Sequence, residues 1–82
     1  MYSVELSKKA EEQFLKLSDE IGSRIIKVLE RIKIRPYSFV KRLIGTPYFR
    51  LRIGDYKAIL DVQNDKLIIL VLEIGHRKNI YE

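Results

Sequence analysis

The stretch YFRLRIGDYKAIL, residues 48–60, constrains the fold more than any other part of the chain. Two β-prone runs flank Gly54-Asp55, and such a pair between alternating apolar residues marks a two-residue hairpin loop. Taking that pair as the loop sets the register. Ile53 faces Tyr56, Arg52 faces Lys57, Leu51 faces Ala58, Arg50 faces Ile59 and Phe49 faces Leu60. Side chains alternate across a strand, so Phe49, Leu51, Ile53, Tyr56, Ala58 and Leu60 share one face, a bed for packing helices. Arg50, Arg52 and Lys57 share the other. Like charges placed directly opposite are destabilising, by a fraction of the roughly 0.2–1 kcal/mol that a good pair contributes. If all three face water, screening makes that cost small. The alternative is that the face binds an anion. Arginine supplies a planar fork of donors suited to phosphate, and a sheet holds such forks at fixed spacing. Asp61 is the only acid on that face of the second strand.

The rest of the chain supplies what the packing face needs. Tyr2, Val4 and Leu6 alternate, which predicts a first strand. Ser7 is a candidate cap for a helix whose stripe is Ala10, Phe14 and Leu17, an ordinary core stripe. Asp19 is the expected cap of a second helix, striped by Ile21, Ile25, Val28, Leu29 and Ile32 and stopped at Pro36. RPYSFVKRLIGTP reads as a loop bounded by two prolines. Strands are expected at about 48–53, 56–63 and 66–75, with two-residue connections, the second at Asn64-Asp65. LIILVLEI reads as a strand buried on both faces, hence central or covered by helices. The expectation is one α+β domain over 1–82, ordered β-α-α-β-β-β, with a helical hairpin packed on a small antiparallel sheet. The partner of the first strand is left open.

Composition narrows the chemistry. The 82 residues contain no cysteine and one histidine, His76, so a disulfide, a thiolate site or a histidine cluster is not expected, nor is a metal or other cofactor. The longest apolar run, LIILVL, is six residues, against roughly 20 for a bilayer-spanning helix. With charged residues following MYSV at once, no signal peptide and no membrane association are expected, and the cytoplasm is the expected compartment. Residues 31–57 hold eight basic side chains against Asp55 alone, a local charge of +7 within a net +5. Such a segment is the electrostatic footprint of a polyanion binder, or a solvated basic face. Arg31, Lys41 and Arg42 in this segment, with His76, are the candidate contacts to such a polyanion. Arg24, Lys27 and Arg31 lie along one helix face, which is a solvated face or a further contact to a polyanion. Glu73 is expected to be a salt-bridge partner rather than a base.

The stretches KRLIGTPYFRLRIGDYKAIL and LVLEIGHRKNIY, with SKKAEEQFLKL at the first helix, resemble the RelE/ParE toxin superfamily, and within it the RelE branch. The likeness covers nearly the whole chain. It implies a RelE-like fold and the toxin of a type II toxin–antitoxin pair. That toxin is a ribosome-dependent endoribonuclease that cuts mRNA in the A site and so inhibits translation. A RelB-type antitoxin neutralises it in a heteromeric complex, for which a heterotetramer is one arrangement. Carried over by position, the family's catalytic cations fall on Arg50, Arg52, Lys57 and Arg77, and its C-terminal aromatic on Tyr81. Three departures stand out: Lys57 where arginine is common, Leu60 where many members have tyrosine, and an end one residue after Tyr81, short of the C-terminal helix of longer relatives. Two alternatives stay open. One is a ParE-like inhibitor of DNA gyrase. The other is a catalytically degenerate homologue that binds only RNA or antitoxin.

Cleavage of RNA by its own 2′-hydroxyl requires a group to take the 2′ proton, donors for the crowded phosphate, and a group to protonate the 5′ oxygen. Arg50, Arg52 and Arg77 suit the second task as preorganised donors. Arginine is a poor acid, with a pKa above about 12. Tyr81, Lys57 and His76 are left for proton transfer. Tyrosine and lysine titrate near 10 in water, so either needs a depressed pKa, which neighbouring cations favour. Histidine is the usual side chain for proton transfer near neutrality, which makes His76 a candidate, yet one histidine at a strand end is commonly structural.

Overall fold

Residues 1–76 of the chain are described in the computed structural model. A strand β1 (Ser3–Leu6) leads into helices α1 (Lys8–Leu15) and α2 (Asp19–Ile32). A 3₁₀ turn at Pro36–Ser38 follows, then β2 (Val40–Arg42), β3 (Phe49–Ile53), β4 (Tyr56–Gln63) and β5 (Ile68–His76). The strands form one sheet in the order β1-β5-β4-β3-β2, with both helices on one face. The α+β class and the helical hairpin on a sheet are as expected.

Four details differ from the expectation. The segment between the prolines is not all loop: Val40–Arg42 adds an edge strand, antiparallel to β3. Three residues are too short to show alternation, so no sequence signal marks them. The sheet is mixed, because β1 runs parallel to β5, from Ser3 opposite Ile68 to Leu6 opposite Val71. Ser18, not Asp19, caps α2, its hydroxyl oxygen accepting from the amide of Ile21 at 3.3 Å. Both residue types cap well, and the chain uses the earlier one. Finally, β4 and β5 are joined by four residues rather than two, since Gln63 pairs with Ile68 and Leu67 takes a positive φ of 54°.

Ser7 is the pivot from strand to helix. Its amide donates to the carbonyl of Val71 at 2.9 Å, finishing the β1 ladder. Its hydroxyl oxygen accepts from the amide of Ala10 at 3.0 Å, and the hydroxyl donates to the carbonyl of Leu72 at 2.9 Å. Beyond β1 the exposed edge of β5 is taken over by α1. There the amide of Ile74 donates to Gln13 Oε1 at 2.7 Å, which keeps that edge from presenting an unpaired donor. Lys9 Nζ reaches Glu73 Oε1 at 2.6 Å, the salt bridge expected for Glu73.

The helices meet at Gly22, where a Cβ would lie 3.4 Å from Phe14 Cζ. Ile25, Leu29 and Ile32 of α2 and Ala10 of α1 are buried against Leu51, Ile53, Ala58, Leu60, Ile69, Val71 and Ile74. Val71 and Ile74 share this face despite their odd spacing because β5 carries a bulge. Ile59 pairs with Glu73 and Leu60 with Val71, which leaves Leu72 as the extra residue.

Candidate nucleic-acid interface

The β3–β4 register matches the one read from the hairpin at all five pairs, from Ile53–Tyr56 to Phe49–Leu60. Arg50, Arg52 and Lys57 therefore lie on the sheet face turned away from the helices. The neighbouring strands extend that pattern. Lys41 on β2 is directly opposite Arg50, and Gly75 on β5 is directly opposite Lys57. Two cross-strand rows result: Lys41–Arg50–Ile59–Glu73, and Arg52–Lys57–Gly75. Strands about 4.8 Å apart, with a step of about 7 Å between alternate residues, set four cations on a fixed lattice.

The cations are not equally wet. Lys41 and Arg52 are exposed, Arg50 is intermediate, and Lys57 is buried with 6% exposure. The face is therefore not one of three equally solvated cations. A buried ammonium is tolerated only where it is engaged, and both Arg50 and Lys57 have interaction partners. Among the described residues no buried side-chain nitrogen or oxygen lacks a hydrogen bond.

The other candidates are distributed differently. Arg42 sits opposite Phe49, with its guanidinium 5.7 Å from the ring centroid, while Tyr37 meets the same ring edge-on at 5.4 Å. Arg42 therefore points to the side opposite Lys41, at the sheet edge. His76 faces Tyr56, ring to ring at 5.5 Å and 67°, on the side of the packing face. Arg31 is exposed in the last turn of α2, in the helical layer. The structure brings Lys41, Arg50, Arg52 and Lys57 together and holds Arg31 and His76 apart from them. Arg77 and Tyr81 lie outside the described residues.

Two features leave no trace in the sequence pattern. The direct Lys41–Arg50 pairing depends on β2, a strand too short to show a period. Arg24 reaches the tip of the β3–β4 hairpin, where a Cβ on Gly54 would meet its Nη1 at 3.2 Å. That contact spans 30 positions and has no periodic signature. A cavity of about 480 Å³ between α1 and α2, lined by Phe14, Leu15, Leu17 and Ile26, is in the helical layer rather than on the cationic face. No group of three or more His, Cys, Asp or Glu side chains placed to hold a metal occurs among the described residues.

A helical hairpin laid on a five-stranded mixed sheet is also the fold of solved RelE toxin chains. The likeness spans whole chains. It includes a chain of the RelBE toxin–antitoxin complex of Mycobacterium tuberculosis (TM-score 0.83, 20% identity, covering 93% of this chain and 98% of the other). It includes a chain of the archaeal RelE–RelB complex of Pyrococcus horikoshii (TM-score 0.81, 24% identity, 96% and 98%). The intact RelBE complex of E. coli gives a TM-score of 0.80 at 21% identity, covering 93% and 96%. Identities this low speak for the fold. Sequence comparison with curated proteins returned no match. Residues 4–81 match the family model described as the ParE toxin of type II toxin–antitoxin systems, parDE. The chain belongs to this toxin family, within the RelE/ParE superfamily.

Proposed function

We propose that this toxin is an mRNA interferase, a ribosome-dependent endoribonuclease that cuts mRNA in the A site. The observation that carries the reading is the sharing of one sheet face by Arg50, Arg52 and Lys57, with Lys41 alongside. Two like-charged cross-strand pairs cost stability, and a phosphate offsets that cost. Arg50 and Arg52 donate to the phosphate as the 2′-hydroxyl oxygen attacks phosphorus and the bond to the 5′ oxygen breaks. Lys57 or Tyr81 takes the 2′ proton, and Arg77 assists at the leaving oxygen. Proton transfer is the weak part of this set. The ribosome would supply substrate geometry, which can be worth several kcal/mol of barrier.

The partners in this reading are mRNA, the ribosome and a RelB-type antitoxin, with the cytoplasm as compartment and residues 1–82 as one domain. The related complexes from M. tuberculosis, P. horikoshii and E. coli pair toxin with antitoxin, which supports the antitoxin partner. No helix among the described residues is long and apolar enough to cross a membrane.

Primer extension on mRNA in programmed ribosomes, with Arg77→Ala as control, tests the reading. A-site cuts that disappear in the control support it. Intact protein that leaves mRNA whole overturns it. A second reading, inhibition of DNA gyrase, is favoured by the ParE description of the matching family. Loss of gyrase supercoiling in the presence of the protein, without mRNA cleavage, would select that reading.

A further inference from the structure

The loop between β2 and β3 exposes an isoleucine that does nothing for the core. Ile44 is 100% exposed, on a loop braced by four hydrogen bonds. The amide of Leu43 donates to the carbonyl of Tyr48 at 3.0 Å, and the amide of Thr46 donates to the carbonyl of Leu43 at 3.2 Å. The Thr46 hydroxyl donates to that same carbonyl at 3.1 Å, and its oxygen accepts from the amide of Tyr48 at 3.1 Å. Gly45, at φ +80°, supplies the left-handed residue that turns the chain directly after Ile44. An apolar side chain held in water by a braced loop stabilises nothing in the fold.

Beside it is a cavity of about 220 Å³ lined by Arg42, Leu43, Ile44 and Arg50. Its lining joins two apolar side chains to two guanidinium groups. Arg50 belongs to the row on the cationic face, whereas Arg42 is held over the Phe49 ring at the sheet edge. Through Arg50 the cavity adjoins the row on which a phosphate would be bound, and Leu43 and Ile44 give it an apolar wall. Aliphatic and guanidinium surfaces are what the flat face of a base stacks on, and the edge of a base presents acceptors to arginine.

We infer that the cavity formed by Arg42, Leu43, Ile44 and Arg50 is a nucleobase pocket, seating one unpaired base of a single-stranded RNA whose phosphate lies on the Arg50–Arg52 row. The inference rests on the RNA reading of the cationic face and adds a base-reading element to it. The pocket is preformed, so ordering it on binding costs little. Ile44 and Arg42 act on base preference, while Arg50 and Arg52 act on phosphate.

The test is direct titration of the intact protein with a single-stranded pentaribonucleotide and with its analogue lacking one base, both of the same phosphate count. Wild-type protein is expected to bind the complete oligomer about fivefold or more tighter, the scale of one stacked base. Ile44→Ser is expected to bind both oligomers alike, at the affinity of the abasic one. Its fold should be intact, since the side chain is fully exposed. Arg52→Ala is expected to weaken both oligomers together. Base-dependent binding that survives in both Ile44→Ser and Arg42→Ala would overturn the pocket, as would a wild-type protein that binds both oligomers equally. Cleavage separates the two claims. Wild-type codon preference of ribosomal cuts in Ile44→Ser would sink the pocket and leave the nuclease standing. Base-dependent binding lost in Ile44→Ser, without cleavage by the wild type, would sink the nuclease and leave the pocket.

Discussion

Lys57 on β4 stands directly opposite Gly75 on β5, and a bulge two pairs along the ladder puts it there. Counted back from the Gln63–Ile68 pair without a bulge, Lys57 would face Ile74. The extra residue, Leu72, shifts the register by one. It returns Ile74 to the core and leaves the position beside Lys57 without a side chain. One local irregularity therefore serves both faces: packing on one, and a glycine opposite the buried cation on the other.

Gly75→Val should reduce function without unfolding the protein. Directly opposed residues have Cβ atoms about 5 Å apart, so a branched side chain at 75 crowds the stem of Lys57. The expected result is loss of most of the proposed mRNA cleavage with a cooperative melt retained. Wild-type cleavage by Gly75→Val would show that the glycine opposite Lys57 is not required.

Arg52 costs the fold something. Replacing it with serine removes one of two opposed cations and should leave stability unchanged or raise it by about 0.2–1 kcal/mol, while the proposed cleavage is lost. Because screening weakens the repulsion, the gain should shrink between about 50 mM and about 500 mM salt. Thermal melts at both salts check this, and a destabilised variant would mean that Arg52 has a structural partner.

Gln13 and Ser7 hold α1 to β5. Gln13→Leu leaves the Ile74 amide without its acceptor and should destabilise by about 1–3 kcal/mol. Ser7→Ala removes a cap as well as a donor and should cost about 1–2 kcal/mol. Urea unfolding measures both. Hydrogen exchange at Ile74 should accelerate in the Gln13 variant alone.

Two glycines should respond in opposite directions to alanine. At Gly22 the added Cβ meets Phe14 at ordinary contact distance inside a helix, so Gly22→Ala should stabilise by about 0.5–1 kcal/mol. Gly22→Val pushes further into the ring and should destabilise. At Gly54 the backbone is left-handed, φ +57°, and Gly54→Ala should cost about 1 kcal/mol or more. A stabilised Gly54→Ala protein would contradict the turn geometry.

The sequence by itself determined the central hairpin, and did so for a physical reason. A two-residue loop leaves no freedom of register, and alternation then assigns each side chain to a face. That is why Arg50, Arg52 and Lys57 group together from their positions in the chain alone, and why both helical stripes are legible from their spacing. What it did not contain were relations between segments far apart. The parallel pairing of β1 with β5, the capture of the Ile74 amide by Gln13 and the Lys41–Arg50 pair all depend on elements meeting only once the core has formed. The exposure of each cation belongs to the same class. Three residues that look equivalent in the hairpin range from the exposed Arg52 to the buried Lys57. Local spacing fixes the direction of a side chain, and the tertiary fold alone decides how much water reaches it.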